Sequence, residues 1–442
     1  MTVVFDALGY EAIGQTIHEQ GWREYFKNGP QREPFYPFTI AVSMDIASHF
    51  GISYQLIQKI FQVISLCITQ ILLYILLGKL SIPRGIKAGA LLYFGFSPGL
   101  VNAAMSLFSE IMVFPAVPLL ILAAVWAWRN IQREGKIHAV GMGTVVAMAF
   151  VLAIFNKGIF QYVFLAFLIP FCILCLRSLL RHKKKVFFNS FIFLITVFMI
   201  VQTCVNGFKW MNKKYNGHFE FTDRYSHLLF GNAYKRGRPL NAEIFWSQVA
   251  SIPGGGVCRR FFSEERCQYA DFYGADQERG RPLADALESI PQGRRDTEAL
   301  RLAIQKILDH PFQYTLFTAL EFPKMLFWES AQIGFVQYPA GLSRLFSVGL
   351  FKDSLRLIVS FLTIFSFIFV LCSVYRYRFQ LYELTPSAEE VQICFFVSLT
   401  IFTYAGLYSF FSIVTSYALP LGSLYLLCIA YTFSKIFSPR KI

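Results

Sequence analysis

Residues 186–205 read VFFNSFIFLITVFMIVQTCV, 20 residues without a charged side chain, set directly behind Lys183, Lys184 and Lys185. As a helix rising about 1.5 Å per residue, this run matches a hydrocarbon core about 30 Å thick. Working outward, comparable runs near 55–78, 88–104, 109–128, 138–155, 159–177, 355–374, 392–413 and 417–436 bring the expected spans to nine. Composition agrees, because 15% of the 442 residues are charged and 55% are hydrophobic, with a mean hydropathy of +0.47. Soluble domains carry about 25% charged residues, so an ordinary soluble enzyme is excluded. The expected fold class is an all-α multi-pass transmembrane helical bundle, with an external soluble domain of helical or mixed structure.

The net charge of +14 would suggest nucleic acid in a soluble chain. Here the excess falls in alternate short connections: around Lys79 and Lys87, around Arg129 and Arg133, from Arg177 to Lys185, at Arg376 and Arg378, and from Lys435 to Lys441. The intervening short turns hold a single cation, Lys157. By the positive-inside rule the basic loops are cytoplasmic, and no nucleic-acid partner is expected. The expected organisation is a first external loop with an interfacial helix over 1–53, transmembrane helices over 54–205, an external domain over 206–352 and C-terminal spans over 353–442. Translocation of 1–53 needs an upstream span, which is expected to precede Asp6.

Residues 206–310 alone have soluble character, with 16 Lys and Arg against 13 Asp and Glu. The glycine run at Pro253-Gly254-Gly255-Gly256 lacks the Lys-Ser/Thr of a phosphate loop and reads as a linker. Cys258 and Cys267 are the cysteines outside the spans; they either close a disulfide in an oxidising compartment or stay as two thiols, and the bridge is the expectation. Residues 312–350, with Lys324, Trp328, Glu329 and Arg344 among Phe and Leu, read as interfacial. The sequence contains no internal repeat.

The chemical candidates lie at the external turns: Asp6 and Tyr10, then Arg32-Glu33-Pro34-Phe35-Tyr36-Pro37, then Ser109-Glu110, Asn156-Lys157 and Thr415 to Pro420. Polar groups near membrane depth are costly and tend to have a task. Each also has a plain structural account. Asp6 can cap a helix, Glu110 can complement a helix N-terminus, Lys157 can snorkel, and Tyr417 can belong to an aromatic belt.

Their order along the chain resembles the GT-C membrane glycosyltransferases, and is similar to that of bacterial proteins related to dolichyl-phosphate-mannose-protein mannosyltransferases and lipid A aminoarabinose transferases. Trp210-Met211-Asn212, Gly217 to Thr222, Gly231-Asn232, His310-Pro311 and Tyr417 to Pro420 carry the rest of the resemblance. Two features depart from it: Ser416 stands where the family commonly has Arg, and the span that normally precedes the Asp loop is absent.

The resemblance implies transfer of a sugar from a polyprenyl-phosphate donor to a glycan, lipid or protein acceptor, at the periplasmic face of a bacterial inner membrane. It implies Asp6 as base, and Glu110 orienting the acceptor or Asp6 or helping to hold a divalent metal. Arg32 and Lys157 would bind the lipid phosphate, and Tyr10, Tyr36 and Tyr417 would line the sugar and isoprenoid groove. A polysaccharide ligase or polymerase, or a lipid-linked sugar flippase, are the alternatives.

Overall fold

The computed structural model describes residues 6–29, 32–133, 136–222, 224–237, 241–253, 255–270, 295–330, 340–341, 344, 349–411 and 415–437, and among them every regular element is helical. Three helices come first: α1 (Asp6–Gln20), α2 (Trp22–Lys27) and α3 (Phe35–Phe50). The first block of spans comprises α4 (Tyr54–Lys79), α5 (Arg84–Phe96), α6 (Pro98–Met105), α7 (Glu110–Val113), α8 (Ala116–Ile131), α9 (Lys136–Asn156), α10 (Phe160–Leu180) and α11 (Lys184–Asn216). Six helices follow: α12 (Arg224–Arg236), α13 (Ala242–Ser251), α14 (Gly255–Cys258), α15 (Glu264–Ala270), α16 (Arg295–Asp309) and α17 (Pro311–Glu321). The chain returns through α18 (Gly349–Arg376), α19 (Pro386–Phe411) and α20 (Gly422–Phe437).

Among the described residues eight helices are long and apolar enough to cross a membrane, and α5 with α6, bent by 43°, is as a pair a broken span or a re-entrant loop. The chain is a multi-pass membrane protein, and each expected span falls on one of these elements. Residues 438–442, with Arg440 and Lys441, and residues 271–294 lie outside the described residues.

Helix α4 shows how the bundle is built. Leu56, Ile60, Ile64, Ile68, Ile71 and Ile75 are all more than 40% exposed and form its outward face, while Gln58, Gln62, Ser65 and Thr69 are buried. Positions 58, 62, 65 and 69 recur at helical spacing, so a polar stripe points inward. Non-helical backbone at membrane depth must have its polar groups met from within the protein. Gln62 Nε2 donates to the Ala103 and Ser106 carbonyls at 3.3 and 2.6 Å, and Ser65 Oγ donates to the Ile111 carbonyl at 2.7 Å. The stripe thereby holds the irregular chain between α6 and α7.

Glu329 serves the same end at the bend between α5 and α6. Its carboxylate accepts from Ser97 Oγ at 2.7 Å and from the Gly99 N–H at 3.0 Å, meeting a donor at the start of α6. Trp328 beside it is fully buried and donates from Nε1 to Thr363 Oγ1 at 3.2 Å. The interfacial expectation for this part of 312–350 is therefore corrected: Lys324, Trp328 and Glu329 are buried inside the bundle, because the break in a span needs a partner that can accept hydrogen bonds. Helix α11 likewise runs past the expected boundary at 205, ending at Gly217, whose φ of 86° provides the left-handed cap.

Helices α12 to α17 gather at one end of the bundle, here called the domain end. Small residues Ala299 and Ala303 of α16 pack against Leu229, Phe230 and Ala233 of α12. Cys258 and Cys267 are bonded to each other, with Cα atoms 5.7 Å apart, and tie α14 to α15. Gly255 opens α14 as a helical turn rather than a linker, while Gly254 lies outside the described residues. The last carbonyls of α19 are met from this end. Arg236 donates to those of Ser409 and Phe410 at 2.6 and 3.0 Å, Tyr314 Oη to that of Phe410 at 2.5 Å, and Asn232 to that of Phe411. Glu321 sits beneath this clamp, paired with Lys235 at 3.2 Å, with Lys324 at 3.5 Å and with Arg236.

Candidate functional site at the domain end

Five segments far apart in sequence deliver polar side chains to one place at the domain end. Asp6 opens α1, Arg32 and Tyr36 flank the start of α3, Glu110 opens α7, Lys157 lies between α9 and α10, and Tyr417 belongs to the 3₁₀ segment Thr415–Leu421. The packing of α1 on α3, and of α7 on that 3₁₀ segment, brings these starts and turns together.

The contacts form a continuous chain. Arg32 Nη2 donates to Asp6 Oδ1 at 2.8 Å, and Arg32 Nη1 reaches Asp6 Oδ2 at 3.4 Å and Tyr10 Oη at 3.5 Å. The guanidinium lies 4.6 Å from the centre of the Tyr10 ring. Tyr10 Oη shares a hydrogen bond with Ser109 Oγ at 3.0 Å, and Ser109 Oγ reaches Glu110 Oε2 at 3.5 Å. Glu110 Oε1 then accepts from Lys157 Nζ at 2.9 Å. Beyond it, the Lys157 ammonium lies 5.3 Å from the centre of the Tyr417 ring, which packs on Tyr408 at 4.6 Å. Tyr36 meets Tyr10 edge to face at 5.0 Å.

Burial grades along this chain. The Asp6 side chain is 57% exposed and that of Arg32 13%, whereas those of Glu110 and Lys157 are 6% and 8% exposed. One end opens outward and the other is sealed. Burial opposes the Arg32 charge, but Tyr10, Asp6 and Glu33 outweigh it and hold the guanidinium above its ordinary pKa. Burial opposes the Lys157 charge too. Glu110 foremost, with Tyr10, Tyr408 and Glu33, keeps that ammonium well above the usual lysine value. Burial drives the Tyr36 hydroxyl well above the ordinary tyrosine value, so it stays neutral.

All seven residues that the resemblance singles out, Asp6, Tyr10, Arg32, Tyr36, Glu110, Lys157 and Tyr417, belong to this one assembly. Three neighbours were not singled out: Ser109 bridges Tyr10 to Glu110, Tyr408 backs Tyr417, and Glu33 accepts from the Gly158 N–H at 3.0 Å. Glu33 pins the turn that carries Lys157. Its place inside the Arg32 to Pro37 motif was the available signal. Among the described residues no three His, Cys, Asp or Glu side chains converge, and the two carboxylates of this chain are each paired with a cation, Asp6 with Arg32 and Glu110 with Lys157.

An arrangement of this kind can hold an anion against Arg32 while an outward carboxylate faces an incoming hydroxyl. Compared with known proteins, the chain matches no described family, no curated protein and no solved structure.

Proposed function

We propose that the chain is an integral-membrane glycosyltransferase that moves a sugar from a polyprenyl-phosphate donor to an acceptor hydroxyl. The domain end faces the periplasm of a bacterial inner membrane in this proposal. The observation that carries it is the meeting of Asp6, Arg32, Glu110 and Lys157 from four distant segments in one graded polar chain.

The chemistry follows from the charges. The acceptor oxygen attacks the anomeric carbon as the bond from that carbon to the phosphate oxygen breaks. The phosphate departs with its electron pair and is held by Arg32, while the acceptor proton passes to the Asp6 carboxylate. A phosphate leaves without protonation, so one carboxylate suffices where a glycosidase uses two. Glu110, fixed by Lys157 and Ser109, acts through position. Of the tyrosines, half-buried Tyr417 presents a ring face to the sugar and the first isoprene units; Tyr10 and Tyr36 are buried and support the site from behind, which corrects the expectation that they line the groove.

Radiolabelled sugar on polyprenyl phosphate, supplied to the full chain in vesicles, should pass to membrane acceptors. Movement of the intact labelled lipid across the bilayer without transfer would replace this proposal with a flippase. Growth of a polymer on the lipid would replace it with a polymerase or ligase.

A further inference from the structure

The outward face of α10 carries Ile173, Ile169, Leu165 and Tyr162 at spacings of four, four and three, with 47, 58, 49 and 41% of their surfaces exposed. In a membrane protein such a stripe faces hydrocarbon. At Tyr162 it runs into a cavity of about 610 Å³, within the range of roughly 300 to 1,000 Å³ that small-molecule sites occupy. Tyr162 and Phe411, with ring centres 6.0 Å apart, form one wall.

Helix α16 forms the opposite wall and has two apolar faces. Ala299 and Ala303 are fully buried against α12, whereas Leu300, Ile304 and Leu308 line the cavity and are 42, 47 and 70% exposed. Among the described residues the second face joins neither buried core cluster. It lies outside the spans, on a helix that otherwise carries charge, and it continues the hydrocarbon-facing surface of α10. Among the described residues Lys209 and Glu220 are the cation and the anion that line the cavity.

We propose that this cavity binds one aminophospholipid of the leaflet at the domain end. Its acyl chains lie between Tyr162, Phe411 and the Leu300, Ile304, Leu308 face. Its phosphate meets Lys209 and its ammonium meets Glu220. A head of mixed charge fits this pair of residues, whereas phosphatidylglycerol lacks the ammonium and a polyprenyl phosphate carries only negative charge. The proposal does not depend on sugar transfer.

The test places a photoreactive side chain in the cavity of the full chain, Ile304→p-benzoylphenylalanine, in nanodiscs of equal phosphatidylethanolamine and phosphatidylglycerol with added polyprenyl phosphate. Leu308 offers a second, more exposed position should the first variant insert poorly. The same photoreactive group replacing Leu92, which is 61% exposed on α5, serves as the bulk-lipid control. After irradiation, intact mass should show one phosphatidylethanolamine adduct, favoured over phosphatidylglycerol by about tenfold or more relative to the control, the worth of one charge-assisted hydrogen bond. Glu220→Gln should bring that preference back to the control ratio. Adducts in the control ratio, a polyprenyl phosphate adduct, no lipid adduct, or a preference that survives Glu220→Gln would each overturn it.

Discussion

Two clusters of charge meet at the domain end, and they are finished differently. Around Glu321, three cations share one carboxylate, and the terminal nitrogens of Arg236 also donate to Thr318 and to the carbonyls of Ser409 and Phe410. Residue exposures there are 0% for Arg236, 3% for Glu321 and 7% for Lys235. Around Asp6 and Glu110 the groups are strung in a line whose outer end is 57% exposed at the Asp6 side chain. The first cluster directs its donors into the fold; the second keeps an end turned outward. Closure of a charged network, more than its residue types, separates a clamp from a site.

The harshest way to break this comparison is to remove the one anion of the clamp. Glu321→Ala leaves buried cations without that partner and should destabilise the protein by about 3 to 5 kcal/mol. The expected readout is a large fall in thermal unfolding temperature in detergent, or no folded protein. A stability near the parent's would show that the cluster is not a clamp.

Asp6→Asn should do the reverse. The carboxylate is 57% exposed and an asparagine oxygen there can still accept from Arg32, so stability should move by no more than about 1 kcal/mol. If Asp6 is the base, sugar transfer should fall by about 10²- to 10⁴-fold, measured on protein shown to insert and unfold normally. Transfer at the parent rate would remove Asp6 from the chemistry and make Glu110 the next residue to vary.

Arg32→Ala sharpens the division inside the site. A phosphate contact made in ground and transition states alike should raise the apparent KM for the lipid donor by about tenfold, with kcat little changed. A fall in kcat at constant KM would instead place Arg32 on charge that develops only during reaction.

A further effect is a pH dependence of the clamp. Burial, with Lys324 and Arg236 adding to it against Glu321, pushes the Lys235 ammonium down to about 8 from its ordinary 10.5. Between those values the unfolded chain holds a proton that the folded chain has released. Stability therefore rises with pH across that window, and is lowest below it, where the buried ammonium is charged. Unfolding temperatures from pH 7.5 to 10 should show this rise in the parent relative to Lys235→Met, and equal pH profiles would refute it.

The spans were legible because hydrocarbon thickness and loop charge act on local sequence. Among the described residues the expected runs, from 55–78 to 417–436, coincide with the apolar helices and with the bent pair of α5 and α6. The site was legible through chain order, since Asp6, Arg32, Glu110 and Lys157 each stand at a turn on the same side of alternating spans. The clamp was not. Lys235 and Arg236 lie in the polar stretch 206–310, where a charge attracts no notice, Glu321 lies in the stretch read as interfacial, and the 85 positions that separate Arg236 from Glu321 carry no local mark of their meeting. Trp328 and Glu329 misled for a related reason. Aromatic and charged residues side by side read as interfacial, and only the distant bend between α5 and α6 supplies the donors that make burial of Glu329 affordable.

That bend also imposes an order on biosynthesis. The hydrogen bonds from Ser97 and Gly99 are received by a residue 232 and 230 positions later. A ribosome that has delivered the first block of spans has not yet made the carboxylate that completes one of them. The bent pair of α5 and α6 therefore lacks that acceptor until residue 329 has been made, and Trp328 beside it gains its partner Thr363 only with α18.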